Sequence, residues 1–381
     1  MALSEKPVVA VDIGGTKITS AVITCEGKMI SRTYRLTLAR EGPQKVVNHI
    51  EKAIDLSLRK AALELSDIGG VGIAAAAIID ISRGLVTEAP NLPRWHNIPL
   101  RERLADSLGK PVFLLNDASA AALGEHRMGA GRGLDNLIYI TVSTGIGGGL
   151  VINGQLYNGT DGCAAEIGHM IVLIDGPACK CGQRGCFEAM ASGTAIARMA
   201  RQRLASGAKS CLAELAHGKM EDVTAELVAV AARRKDGLAL SVIDEAAGYL
   251  GIGLANLVNI INPQMIIIGG GVSKMGAMLF RPAGKSMKEH AFKLPARTVR
   301  IVRPGLGMDA GLMGAAIYTQ EKLRPICPSC RRGVPSGAPA QKSHCEEPAG
   351  DAAIYLAHPQ KCHCEAPAGD AAIYPAPGAK R

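Results

Sequence analysis

Short apolar runs, several of them alternating with polar residues, recur along the chain and are separated by stretches of helical period. The segment "KPVVAVDIGGTKITSAVIT" reads as two Val- and Ile-rich runs broken at "GGTK", which predicts an N-terminal hairpin. A helix over about 43–62 then leads to one buried strand, "GVGIAAAAIID", and to a Pro- and Asn-rich loop, "APNLPRWHNIPL". A helix from about residue 100, the strand "PVFLLN" and a helix opening at "DASAAALGEHRMG" complete a first set. The second set starts at "NLIYITVS" and passes the glycine-rich "TGIGGGLVING". It continues through a long helical region over about 194–262 to the strand "MIIIGGGVS" and a last helix, "DAGLMGAAIYTQEKL". Strands alternating with helices predict an α/β protein. Beyond Arg324 the periodicity stops: "HCEEPAGDAAIY" at 344–355 returns as "HCEAPAGDAAIY" at 363–374 in a Pro/Ala/Gly-rich setting. Two copies cannot stack a core, so 325–381 is expected to be a disordered appendage.

A length of 381 residues, 48% of them hydrophobic, provides material for two domains. Only 3% are aromatic, so the core must be aliphatic and alanine-rich. The formal charge of +9 comes from Lys and Arg interleaved with Asp and Glu, which suits a solvated surface better than a nucleic-acid stripe. No N-terminal run is long enough for a signal peptide, and the longest apolar stretch, near "VGIAAAAIIDI", is too short to span a bilayer. A cytoplasmic protein without membrane or nucleic-acid partners is expected. In that reducing compartment the eleven cysteines are expected to be free or metal-bound.

Four residues stand at metal-ligand spacing: His169, Cys179, Cys181 and Cys186. A Cys3His set satisfies four-coordinate zinc with no open position, which makes it structural rather than Lewis-acid catalytic. Gly182 and Gly185 sit where a chain turning around an ion needs positive φ. The alternative is a loop of buried apolar cysteines. Glu166 and Glu188 flank the cluster, and zinc would fix both carboxylates where they could receive sugar hydroxyls. Without zinc they read as solvated surface carboxylates. Cys327 and Cys330, with His344, Cys345, Cys362, His363 and Cys364, offer a second set, but its spacings match no ordinary finger.

Three glycine loops follow three strands. "DIGGTK" at 12–17 lets backbone N–H groups approach phosphate oxygens, with Asp12 placed to hold Mg²⁺ through water. "STGIGGG" at 143–149 and "GGG" at 269–271 repeat the pattern. Singly each is weak, because many hairpins contain Gly-Gly. The candidate nucleotide-side residues are Asp12, Gly14, Gly15, Thr16 and Lys17, then Thr144, Gly145 and Gly147, then Gly270. No Walker-type motif is present, and "GYLGIGLANL" lies in a helical pattern, which reads as close helix packing. Asn116 and Asp117 end the strand "PVFLLN" and open a helix. Asp117 is either its N-cap or a base that accepts the proton of an attacking hydroxyl.

Together "DIGGTK", "LNDASAAALGE", "STGIGGG", "EIGH" and "CKCGQRGCFE", in this order over residues 8–323, resemble the ROK family of sugar kinases. That resemblance implies the two-domain actin/hexokinase/Hsp70-like (ribonuclease H-like) α/β fold with a cleft. The expected division is a small domain over 1–117, to which the last helix, 309–323, returns, and a larger domain over 118–308 carrying the zinc loop. ATP with Mg²⁺ would lie against the glycine loops, and Asp117 would be the base. Asn116, Asp117, Glu166, His169 and Glu188 would bind the sugar, while His169, Cys179, Cys181 and Cys186 would hold zinc. His169 would serve both shells, one ring nitrogen on the metal and the other facing the sugar. A homodimer is implied as well. Many relatives carry Pro-Gly where this chain has "GIAAAAIID", which leaves the substrate open. The leading expectation is an ATP-dependent glucokinase, and its rival is an N-acylhexosamine kinase acting on N-acetylmannosamine. A ROK repressor would need a helix-turn-helix module before "DIGGTK", where only about ten residues stand. A silent sugar sensor need not keep Asp117.

Overall fold

The computed structural model describes residues 5–324. The repeat at 344–374, the expected disordered appendage and the second metal site at Cys327, Cys330 and their partners lie outside the described residues. Alternation builds the first sheet. β1 (Val8–Ile13), β2 (Lys17–Ile23) and β3 (Met29–Leu36) form an antiparallel meander, so the expected hairpin is present. After α1 (Pro43–Lys60), β4 (Val71–Ala75) pairs parallel with β1. The expected single strand over "GVGIAAAAIID" breaks at Ala76 and Ala77. Its second part, β5 (Ile78–Asp80), joins β6 (Leu85–Glu88) and β7 (His96–Ile98) in a separate small sheet. Then come α2 (Leu100–Leu108) and β8 (Val112–Asn116), which pairs parallel with β4. Side chains on β1 alternate between faces. Val9 and Val11 join α1 and α2 in one core with Ile50, Ile54 and Leu104, whereas Val8 and Ala10 face the other way. Trp95, the one tryptophan of the sequence, is buried in the core with Val9 and Val11.

The chain then leaves through α3 (Asp117–Met128) for a second sheet. It begins with the antiparallel strands β9 (Leu137–Val142), β10 (Ile146–Ile152) and β11 (Gln155–Tyr157). Beyond the zinc-spacing segment lie α4 (Phe187–Ala191), α5 (Gly193–Ala205), α6 (Leu212–Leu215), α7 (Ala225–Arg233) and α8 (Gly237–Ile261). The long helical region is therefore several helices, broken by positive-φ residues at Gly207, Gly218 and Lys235. β12 (Met265–Gly269) pairs parallel with β9. After α9 (Ala277–His290) and α10 (Lys293–Thr298), β13 (Arg300–Val302) pairs parallel with β12. α11 (Ala310–Leu323) closes the described chain and covers the Val8 and Ala10 face with Leu312 and Ala316.

The two sheets have one strand order twice over: β3-β2-β1-β4-β8, then β11-β10-β9-β12-β13. In each, an antiparallel meander is followed by two parallel strands, as in the actin/hexokinase-like fold. α8 is long and apolar enough to cross a bilayer by composition alone, but it is the central helix of the second core, packed by α4, α5, α7 and α9. The glycines of "GYLGIGLANL" serve that packing: a Cβ on Gly251 would stand 2.6 Å from Ala283 O, and one on Gly253 would stand 2.6 Å from the Phe187 ring. The two helices at the crossings, α3 and α11, touch backbone to backbone. A Cβ on Gly124 would overlap Ala310 O, and one on Gly314 would overlap Ala120 O.

Candidate functional site

A single 3-10 turn, Ile167–His169, and the loop that follows bring the four zinc-spaced residues together. Their ligand atoms lie within 4.8 Å of one another. Cys181 and Cys186 Sγ are 3.7 Å apart, and Cys179 Sγ is 3.8 Å from His169 Nδ1. A tetrahedron of thiolates at zinc's bond length has edges of about 3.8 Å, whereas a disulfide would need about 2.05 Å. Burial, reinforced by Cys181 and Cys179, pushes the Cys186 thiol up to about 12, a cost that a bound dication removes. The donor set fits zinc. Gly182 (φ 91°) and Gly185 (φ 67°) are left-handed, as the turning chain requires, and a Cβ on Gly185 would overlap Leu173 O.

Of the two flanking carboxylates, Glu188 points back into the fold and Glu166 is exposed. Cys186 is directly followed by α4, which places Glu188 in its first turn. Glu188 Oε2 accepts a hydrogen bond from Ile146 N at 2.8 Å, and a Cβ on Gly145 would overlap that oxygen. The zinc loop is thus tied to the β9–β10 turn, a link the spacing in sequence does not reveal. Glu166 precedes the 3-10 turn; desolvation of its carboxyl raises its pKa, His169 opposes the rise, and Asp117 and Glu188 add to it.

At the other side, β8 ends beside β4 and delivers Asn116 and Asp117. The helix N-cap is Asn116: its Oδ1 accepts from Ala118 N (2.9 Å) and Ser119 N (3.2 Å), and its Nδ2 donates to Ala77 O (3.2 Å). The cap reading of Asp117 therefore passes to its neighbour. Asp117 itself is half-buried and accepts a backbone bond from Ala118 N at 2.9 Å, and burial of its carboxyl raises its pKa. Asp12, at the end of β1, is pushed up to about 7 by burial and then by the Asp117 charge, with Lys17 and Arg32 opposing.

The glycine turns are pinned by residues that the sequence reading missed. Gly14 N donates to Lys17 O (3.0 Å), and buried Thr37 spans the turn, its hydroxyl donating to Gly14 O (2.7 Å) and its N–H to Thr16 O (2.9 Å). Gly15 packs on Asn91, whose Cβ would lie 2.9 Å from an added one. In the second turn Ser143 O accepts from Gly193 N (2.7 Å), and Thr144 O accepts from the Thr194 hydroxyl (2.7 Å). Gly147 is not in this turn: it lies within β10, opposite Thr141, so the loop is shorter than "STGIGGG" suggested. Gly270 (φ 87°) sits so close to Val142 that a Cβ would overlap its carbonyl, which brings the third turn beside the second. A cavity of about 520 Å³ adjoins both, lined by Ser143, Thr144, Gly193 and Thr194 and by the cations Arg201, Arg233 and Lys274. Gly193 and Thr194 follow a helix rather than a strand, so no phosphate-loop pattern marked them.

A family model described as the ROK family matches residues 8–322. A glucokinase of Thermotoga maritima is 40% identical over 318 residues, 83% of this chain and 98% of that one. A glucokinase of Halalkalibacterium halodurans is 39% identical over 321 residues, 84% of this chain and 97% of that one. Among solved structures, a ROK family glucokinase from Streptomyces griseus in complex with glucose and AMPPNP matches with a TM-score of 0.72 and 36% identity. It covers 83% of this chain and 99% of that one.

Proposed function

The chain belongs to the ROK family and is an ATP-dependent sugar kinase, and from that premise we propose that it converts glucose to glucose 6-phosphate with Asp117 as the base. The observation that carries the reading is Asp117 itself, a half-buried carboxylate at the end of a parallel strand whose charge acts on Asp12 and Glu166. Such strand ends are where α/β proteins bind ligands. Glu166, Glu188 and the free ring nitrogen of His169 would orient the sugar hydroxyls, with Asn116 beside them. Asp117 takes the proton of the 6-hydroxyl as that oxygen bonds to the γ-phosphorus, and the bond to the departing ADP oxygen breaks. Because burial raises its pKa, Asp117 is a stronger base than an exposed aspartate.

The nucleotide would occupy the 520 Å³ cavity, its phosphates between the turns that hold Gly14, Gly15, Thr16 and Lys17 and those that hold Thr144, Gly145 and Gly270. Asp12 would hold Mg²⁺, which neutralises phosphate charge when bound. His169, Cys179, Cys181 and Cys186 would hold zinc in a closed structural site. We assign 1–117 and the returning α11 to the smaller lobe and 118–308 to the larger. A cytoplasmic homodimer is the expected state.

Initial rates with ATP across glucose, mannose, fructose and N-acetylmannosamine test the assignment. Glucose is expected to give the highest kcat/KM. A higher value for N-acetylmannosamine would overturn the sugar, and no phosphorylation of any of them would overturn the kinase.

A further inference from the structure

The molecule contains a buried carboxylate that the chemistry above does not use. Glu125, in the last turn of α3, has no exposed surface. Its partners are three backbone N–H groups: Oε2 accepts from Ala130 (2.8 Å) and Gly305 (2.9 Å), and Oε1 from Leu306 (2.8 Å). These donors stand at the two places where the chain passes between the sheets. Ala130 lies on the outward passage, just beyond α3, and Gly305 and Leu306 lie on the return, between β13 and α11. Small residues make room for the arrangement, since a Cβ on Gly129 would overlap Glu125 Oε2, and one on Gly305 would stand 2.9 Å from Ala130 N. A carboxylate needed only to finish α3 would be served by Ala130. Two of its three bonds instead go to residues about 180 positions further along the chain.

We propose that Glu125 is a positioning residue for phosphoryl transfer: it clasps the outward and return passages into one hinge, so that α3 keeps its setting against both sheets. The proposal rests on the assignment of Asp117 as base. Asp117 opens the helix that Glu125 ends, eight residues or about 12 Å away along its axis. At the Asp117 end the next residue packs on β10, where a Cβ on Gly149 would lie 2.5 Å from Ala118 O. With one end fixed by Ala118 and the other by Glu125, α3 has little freedom to slide or turn, and near-attack geometry is sensitive to shifts of about an ångström.

The test compares Glu125→Gln, Gly129→Ala and, as a destabilised control in α1 away from the passages, Ile50→Val. The glutamine keeps the shape but turns an NH2 group toward a backbone N–H. Gly129→Ala keeps the charge and displaces the carboxylate at a φ of −110°, outside the left-handed region. For both, kcat is expected to fall about tenfold or more while KM for glucose stays within about threefold, and Ile50→Val is expected to keep kcat within about twofold. Parental kcat in either hinge variant, or a loss no greater than in the control, would overturn the proposal. If the glutamine variant does not fold, Gly129→Ala decides by the same ratios. If neither folds, Glu125 is a folding residue and the proposal fails. Asp117→Asn, assayed in parallel, separates the two assignments: parental turnover there removes the base, whereas an inactive Asp117→Asn beside parental Glu125→Gln removes only the clasp.

Discussion

Asp117 stands half-buried at a strand end, where burial raises its pKa and the Ala118 N–H opposes the rise by donating to its carboxylate. Replacing it by Asn is expected to lower kcat about 10²–10⁴-fold, the usual contribution of a general base, while calorimetry shows glucose bound within a few-fold of parental affinity. The acid limb of kcat/KM follows from the same burial. A raised folded pKa means that the base is lost to protonation as pH falls through a value above the ordinary aspartate range of about 4, so turnover is expected to decline earlier on acidification than for an exposed Asp. A limb at or below pH 4 would remove Asp117 from that role. The pair "ND" at a strand end was readable as chemistry, but not which member did what. Both are good helix caps, and only the 2.9 Å bond from Ala118 N to Asn116 Oδ1, with a second from Ser119 N, shows that Asn116 carries the cap. The reach of Glu188 to Ile146 was hidden because it joins residues 42 positions apart.

The zinc-spacing loop was the most legible element, because ligand type, count and turning glycines all pointed the same way. Its contribution is testable through Gly185, where a side chain meets both a left-handed backbone and the Leu173 carbonyl. Gly185→Ala is expected to reduce bound zinc from about one ion per chain toward none, by elemental analysis, and to lower Tm by several degrees. Stripping the metal with a chelator is expected to lose turnover in step with zinc, since α4 and Glu188 follow directly from Cys186. A metal-free enzyme with full activity would refute this. Elsewhere the pattern gave element type better than element ends. "GVGIAAAAIID" is apolar throughout, so no polar residue marked the break before β5, and the helical period across 194–262 concealed turns made by Gly207, Gly218 and Lys235.

At the scale of the whole molecule, the repeated strand order was invisible in the sequence, because pairing between distant strands leaves no local trace; the two-lobed fold was accessible only through the family resemblance. Besides the Glu125 bonds, the halves are joined by the glycine contact of α3 with α11. Gly314→Ala would force the two backbones apart and is expected to cost about 1–3 kcal/mol or more by denaturant titration, with a fall in kcat. By contrast, a chain ending at Arg324 is expected to keep its zinc stoichiometry and turnover, because all four ligands and Asp117 lie before it. Trp95 extends the argument. The sole indole of the sequence belongs to the core of the first sheet, while α4 to α10 all lie in the second half. Its emission therefore reports the melting of one half and far-ultraviolet ellipticity chiefly that of the other. Coincident midpoints would mark a molecule welded into a single cooperative unit, and separated ones a molecule that opens at its seam first.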